Sequence, residues 1–131
     1  MEVVIDTSAL LAVLMGEPER GVIIRITKNA RLMAPYALHW EFGNALSAMM
    51  KKKRLRLEHL KSIVGNYLII PLQFFEIDIS AALEIAGERS IYAYDAYFLE
   101  CARSSGAPLL TLDRDMMQLA IDMRLNLLEV V

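Results

Sequence analysis

Cysteine is almost missing from this 131-residue chain: Cys101 stands alone, which excludes an intrachain disulfide and fits a reducing compartment. Histidine is scarce as well. His39 and His59 are isolated and lack metal-ligand spacing, so both are expected to be structural or surface residues. No uncharged apolar run reaches the ~18 residues of a membrane span. The N-terminus has no basic stretch and Asp6 interrupts the first apolar run, so no secretory leader is expected. Linkers, repeats and low-complexity tracts are absent, which predicts one domain over residues 1–131. Neither sign of charge dominates: 14 basic residues face 16 acidic ones, a formal net charge of −2. That balance excludes a general electrostatic DNA binder, which carries a basic face and a high pI. The expectation is a cytoplasmic, soluble protein.

What the chain has in excess is apolar surface. Apolar residues make up 56% of it, and exchanging tyrosine for glycine in that tally still leaves it above the ~45–50% of ordinary globular domains. Disorder, collagen and coiled-coil arrays are excluded by composition. A chain of this length buries a full core, and the surplus points weakly to a second buried surface, a dimer or partner interface.

Strand and helix alternate. Val3-Val4-Ile5 is a β-branched run expected as a buried parallel strand. A helix from about Ser8 to Met15 stops at Gly16, and Pro18 is placed to open a second helix to about Lys28. Leu32-Met33-Ala34 gives a second strand, closed by Pro35. Long helices follow from about Tyr36 to Lys53 and from Leu57 to Ile69. Phe74-Phe75-Glu76-Ile77 predicts a third strand, and Asp78 or Ser80 the cap of a helix to about Glu88. Tyr92 to Ser104 is a helix with Gly106 just past its end. Pro108-Leu109-Leu110-Thr111 is the fourth strand, 114–123 the last helix, and Leu127-Leu128-Glu129-Val130 a fifth strand. This alternation predicts an α/β layer fold with a mainly parallel sheet.

In such sheets, ligands bind beyond the carboxyl ends of the strands. Asp6 ends the first strand, Asp78 follows the third and Asp113 follows the fourth. Each also suits a helix N-cap, and Asp78 is assigned to that role alone. Two further acids are harder to dismiss. Glu41 projects from the apolar stripe Leu38, Phe42, Ala45, Leu46 and Met49, and Asp95 lies among Ile91, Phe98, Leu99 and Ala102. A buried, unpaired carboxylate is costly and shifts its pKa or finds a partner. Either helix rim is drawn wrongly, an arginine pairs with the acid, or the four carboxylates converge. Converging carboxylates repel one another, and a hard divalent cation, Mg²⁺ or Mn²⁺, resolves that conflict. Such an ion activates water and clamps phosphate without help from histidine.

The stretches Val3-Val4-Ile5-Asp6-Thr7-Ser8-Ala9-Leu10, Glu41-Phe42-Gly43-Asn44-Ala45-Leu46, Tyr94-Asp95-Ala96-Tyr97 and Leu110-Thr111-Leu112-Asp113-Arg114-Asp115 resemble, in order and spacing, the motifs of the PIN-domain family, in particular the VapC-type toxins of toxin–antitoxin pairs. The resemblance spans essentially the whole chain. It implies a three-layer α/β/α fold with a mainly parallel five-stranded sheet, usually dimeric. It also implies an Mg²⁺- or Mn²⁺-dependent endoribonuclease in which Asp6, Glu41, Asp95 and Asp113 are both the catalytic and the metal-binding acids. Thr7, Ser8 and Thr111 fall where relatives carry hydroxyls near the metal, although local capping is the simpler role for them. Asp115 matches a second acid sometimes found nearby, or it favours the first turn of its helix. Asn44 is placed to orient Glu41 from one turn away. The partners implied are RNA and a cognate antitoxin that lays its C-terminal segment along an apolar groove and reaches the acids with a basic residue. Two departures concern packing: Met116 stands where many relatives have an aromatic, and Glu100 where a small or apolar residue is expected.

Lys51, Lys52, Lys53, Arg54 and Arg56 form the only basic run. They complement a helix C-terminus, contact an RNA backbone, or do both. Tyr36, Trp40 and Tyr67 are expected to pack rather than stack on bases, and Cys101 to be a small buried hydrophobe. A haloacid-dehalogenase-like reading fails at Ser8, where it needs a second Asp. A receiver domain lacks its adjacent acids, and no phosphate-binding glycine loop exists. The competing reading is a catalytically silent PIN-like module for protein or RNA binding.

Overall fold

A computed structural model describes residues 1–131. The sheet has four strands: β1 (Glu2–Ile5), β2 (Arg31–Ala34), β3 (Gln73–Phe74) and β4 (Leu109–Leu110), in the order β3-β2-β1-β4. Every neighbouring pair is parallel. Between β1 and β2 run α1 (Thr7–Leu14) and α2 (Arg20–Ile26), and between β2 and β3 run α3 (Ala37–Lys51) and α4 (Leu57–Leu68). Between β3 and β4 lie α5 (Ile79–Arg89) and α6 (Ala93–Ser105), and α7 (Arg114–Asp122) follows β4. α1 packs on α2, α3 and α4, while α5 and α6 pair and α6 rests on β1 and β4. The parallel α/β prediction therefore holds.

The five-strand expectation does not. Leu127 makes a single parallel bridge to Leu109, supported by Leu128 N donating to Leu109 O at 2.9 Å. β4 is two residues long and ends at Leu110. No further β4 backbone is left for residues 128–130 to extend a ladder. Elsewhere the corrections are small. Pro18 sits in a turn rather than opening α2, and β3 begins at Gln73 and ends before the predicted Phe75-Glu76-Ile77.

Local chemistry explains the boundaries. α1 ends where Gly16 takes φ +70°, and α6 ends at Gly106 with φ +73°, a left-handed conformation that glycine adopts without steric cost. The central strand β1 carries Val3, Val4 and Ile5, each at most 2% exposed, as a strand covered on both faces requires. Leu38, Phe42 and Leu46 seat α3, and Phe98, Leu99 and Ala102 seat α6 in the same apolar cluster. Chain direction diverges between β2 and β4 on either side of β1, so the switch point lies at the carboxyl ends of β1 and β4.

Candidate active site

Asp6 and Asp113 stand at that switch point, and each caps a helix. Asp6 Oδ1 accepts from Ala9 N at 3.0 Å, and Asp113 Oδ1 accepts from Asp115 N at 2.8 Å and Met116 N at 3.2 Å. Asp78 caps α5 in the same way, accepting from Ser80 N at 2.9 Å. Asp6 does more than cap. Ser8 Oγ donates to its Oδ1 at 2.6 Å and the Thr111 hydroxyl donates to its Oδ2. Ser8 Oγ accepts from Leu112 N at 3.0 Å, and Thr111 Oγ1 accepts from Asp113 N at 3.0 Å. The two hydroxyls thus tie the ends of β1 and β4 together through one carboxylate. Three of its roughly four acceptor positions are used, and Asp6 is only 5% exposed. Capping is the simpler expectation for Ser8 and Thr111; Thr111 does accept a local bond from Asp113 N, and both hydroxyls also donate to Asp6.

Glu41 from α3 and Asp95 from α6 are half-buried, and Asp113 and Asp115 are exposed. Burial is the largest influence on the first two and on Asp6, and it pushes all three carboxyls above their ordinary values. Bonds from Ser8, Thr111 and Ala9 pull Asp6 back, while the charge of Asp113 raises it. For Glu41, Thr7 lowers and the charges of Asp95 and Asp6 raise. For Asp95 the further contributions come from Asp113, Asp6 and Asp115. These acids share one electrostatic neighbourhood, assembled from two strand ends and two helices. No lysine or arginine pairs with any of them, so the structural ion pair open to Glu41 and Asp95 is not present.

The side chains as placed do not bring three acids close enough to grip a single ion; Asp6 and Asp113 are turned to their helix caps. The donor set is nonetheless all oxygen, as Mg²⁺ or Mn²⁺ prefers. Beside it lies an unsatisfied group. Thr7 Oγ1 is buried without a hydrogen-bond partner, yet stands near enough to Glu41 to favour its ionised form. A buried orphan hydroxyl costs about 1–3 kcal/mol, and a ligand entering between these acids is one way to satisfy it.

Other expectations divide. Asn44 is exposed and makes no side-chain bond to Glu41, so it does not orient that acid. His59 is exposed, and His39 is structural, its Nδ1 2.9 Å from the Tyr67 hydroxyl. Tyr67 packs as expected, stacked on Phe42 at 4.1 Å. Tyr36 and Trp40 do not bury: they are 61% and 67% exposed. They sit four apart on the rim opposite Leu38 and Phe42, a periodicity already present in the sequence. Cys101 is buried and its thiol is pushed up to about 12 by burial and the nearby Glu100, an inert hydrophobe. The basic run is wholly exposed and lies at the far end of α3, about 15 Å from Glu41 at 1.5 Å per residue.

Residues 3–122 match the PIN domain family. The chain belongs to that family. This PIN protein superposes on PAE2754 from Pyrobaculum aerophilum with a TM-score of 0.67 and 26% identity, covering 91% of this chain and 79% of that one. It superposes on Mycobacterium tuberculosis VapC20, a Sarcin-Ricin loop cleaving toxin, with a TM-score of 0.62 and 16% identity over 88% and 93% of the two chains. For VapBC2 from Rickettsia felis, solved bound to a DNA fragment from its promoter, the TM-score is 0.67 and the identity 16% over 98% of each chain. At 16% identity these last two likenesses concern the fold. No curated protein matches the chain. No helix of this PIN protein is long and apolar enough to cross a membrane.

Proposed function

We propose that this PIN protein is a metal-dependent endoribonuclease that hydrolyses RNA phosphodiester bonds and acts as the toxin of a VapBC-type pair. The observation that carries the reading is the unpaired acid cluster at the switch point. Asp6, Glu41 and Asp95 are all driven up by burial and by one another's or Asp113's charge. A fold keeps such costly groups together where function needs them. Asp6, Glu41, Asp95 and Asp113 would hold Mg²⁺ or Mn²⁺, which when bound supplies Lewis-acid chemistry at the scissile phosphate.

The chain's own contribution is positioning. Ser8, Thr111 and the Ala9 N–H fix the Asp6 carboxylate and favour its ionised form against the cost of burial. Glu41 and Asp95, half-exposed where Asp6 is buried, turn the cluster's carboxylates toward solvent and an incoming phosphate. Thr7 supports Glu41, and Asp115 adds negative charge at the rim. Lys51, Lys52, Lys53, Arg54 and Arg56 contact the backbone of RNA extending beyond the acids.

A groove of about 430 Å³ between α3 and α4, lined by Trp40, Leu46, Met50, Val64 and Leu68 among others, suits the antitoxin segment. Homodimerisation and a cytoplasmic location are further expectations of this reading.

The test is cleavage of whole-cell RNA by purified protein in Mg²⁺, Mn²⁺ or EDTA, beside an identically purified Asp95→Asn control. Discrete metal-dependent cuts lost in the variant support the reading. Equal cutting by both proteins removes the role of Asp95, and no cutting by either favours the silent binding module.

A further inference from the structure

A small aromatic cleft adjoins the acids but plays no part in the chemistry above. It measures about 220 Å³ and is lined by Tyr36, Ala37, Phe75, Glu76, Ile77 and Tyr97 among others. Ala37 lies one helical turn before Glu41 on the same face of α3, where residues four apart are about 5–6 Å apart. Tyr97 follows Asp95 by two residues on α6 and so lies on another face of that helix; it is the α3 wall of the cleft, through Ala37, that continues toward the acid site. Tyr36 is the exposed wall. Phe74 stacks on one of its faces at 5.1 Å with the rings 12° from parallel, which holds the ring in place. The remainder of Tyr36, 61% exposed, is free for a planar partner.

We propose that this cleft is a base-binding subsite that seats one unstacked nucleobase of single-stranded RNA against Tyr36, next to the phosphate held at the acids. The inference rests on the ribonuclease reading. A pre-oriented aromatic face is what sequence-tolerant recognition of single-stranded RNA employs. The volume suits one ring system, being below the ~300–1,000 Å³ of pockets for drug-sized ligands, and it is too short for a helix of a protein partner. At the rim the exposed Glu76 carboxylate is an acceptor for base N–H groups, as acids are for the cytosine amine. Placing the base here fixes the register of the adjoining phosphodiester relative to Glu41, which makes Tyr36 a substrate-positioning residue.

The experiment uses short mixed-sequence RNA with 2-aminopurine scanned through each position, bound to Asp95→Asn protein so that the strand stays intact. Stacking quenches this base. Quenching at one or two adjacent positions is expected. Tyr36→Leu, which keeps an apolar side chain but no ring, should abolish the quench and weaken binding at least about fivefold, and Tyr36→Phe should restore both. Quenching that survives Tyr36→Leu, or that appears at no position, overturns the subsite. So does a Tyr36→Leu protein whose sedimenting mass falls while RNA binding is unchanged, which would mark the face as the seat of a second copy. Cleavage without a Tyr36-dependent quench removes the subsite and leaves the nuclease. A Tyr36-dependent quench without cleavage by wild type removes the nuclease and leaves the base site.

Discussion

The Thr111 hydroxyl donates to Asp6 Oδ2 across 105 residues of sequence, and with Ser8 on Oδ1 it decides how far a buried carboxylate can stay charged. Burial favours the protonated acid, and each donated hydrogen bond favours the anion. A chain that wanted only a helix cap at this position would not need two extra hydroxyls on it. Their presence makes Asp6 an anion held at a cost, which is the form a cation-binding carboxylate must take.

Thr111→Val removes one donor while keeping the shape of the side chain. The Asp6 carboxyl then climbs further above its ordinary value, and the rise of RNA cleavage with pH moves to higher pH. Loss of a hydrogen bond to a charged group costs about 1.5–3 kcal/mol, more at neutral pH than in acid, because the missing bond favoured the ionised form. Thr111→Ser should restore both. A pH–rate profile with the same midpoint in Thr111→Val and wild type contradicts this role.

Asp95→Asn should raise the stability of protein kept in EDTA. The folded-state pKa of Asp95 lies above its ordinary 3.8. The stability contributed by its protonated form is therefore present in full below that value and lost as pH rises through the folded-state value. At neutral pH wild type carries the whole penalty and the amide carries none. Solvent screening of this half-exposed group keeps the gain below about 1 kcal/mol. Urea titrations at about pH 7.5 and about pH 3 should show the gain at the first and none at the second. A variant less stable than wild type at neutral pH refutes the electrostatic argument.

Divalent cations should reverse that order. A ligand at 100 times its Kd stabilises by about 2.7 kcal/mol, so Mn²⁺ should raise the melting temperature of wild type and leave Asp95→Asn nearly unmoved. Equal shifts in both would place the ion elsewhere. This test reads binding alone and is independent of any RNA.

How much of this is legible in the sequence follows from the range of the forces involved. The β-branched run at Val3–Ile5, the helix periodicities and the stops at Gly16 and Gly106 are local, and they place β1 and the ends of α1 and α6 correctly. Glu41 and Asp95 stand out because each interrupts an apolar stripe. The Ser8–Asp6–Thr111 lacing is tertiary, and no local pattern announces that two hydroxyls meet on one carboxylate. The missing fifth strand has the same origin: Leu127–Val130 has strand composition, but pairing depends on how much of β4 is free. Residue type alone misplaces Trp40 and Tyr36 in the core, although their spacing on the rim of α3 points outward.

Glu100, which departs from the pattern expected of its helix, is held by a neighbour. It is 5% exposed, and the half-exposed Arg103 guanidinium donates to its Oε2. Arg103→Met should leave a buried carboxylate without its partner. Removing one partner of a buried pair costs about 3–5 kcal/mol, and the exposure of Arg103 brings this nearer to about 1–3 kcal/mol. Adding Glu100→Leu should recover most of the loss. A chemical denaturation series on the single and double variants measures it, and an Arg103→Met protein as stable as wild type would make the pair ornamental.

The basic run has two roles that a single position separates. Lys53, just past the end of α3, takes φ +58°, a left-handed conformation that costs a non-glycine residue about 1 kcal/mol or more, and its neighbour's amide, Arg54 N, closes back on Met49 O at 2.9 Å. Lys53→Gly should therefore stabilise the fold by about 0.5–1 kcal/mol. If the run only complements the helix end, the lost Lys53 charge offsets part of that gain and RNA binding does not change. If it grips the RNA backbone, Lys53→Gly binds RNA more weakly while folding more tightly. The slope of log affinity against log salt then falls by about 0.7 for each single-strand phosphate that the protein no longer neutralises. Opposite signs for stability and affinity in one variant cannot arise from a helix-capping role alone.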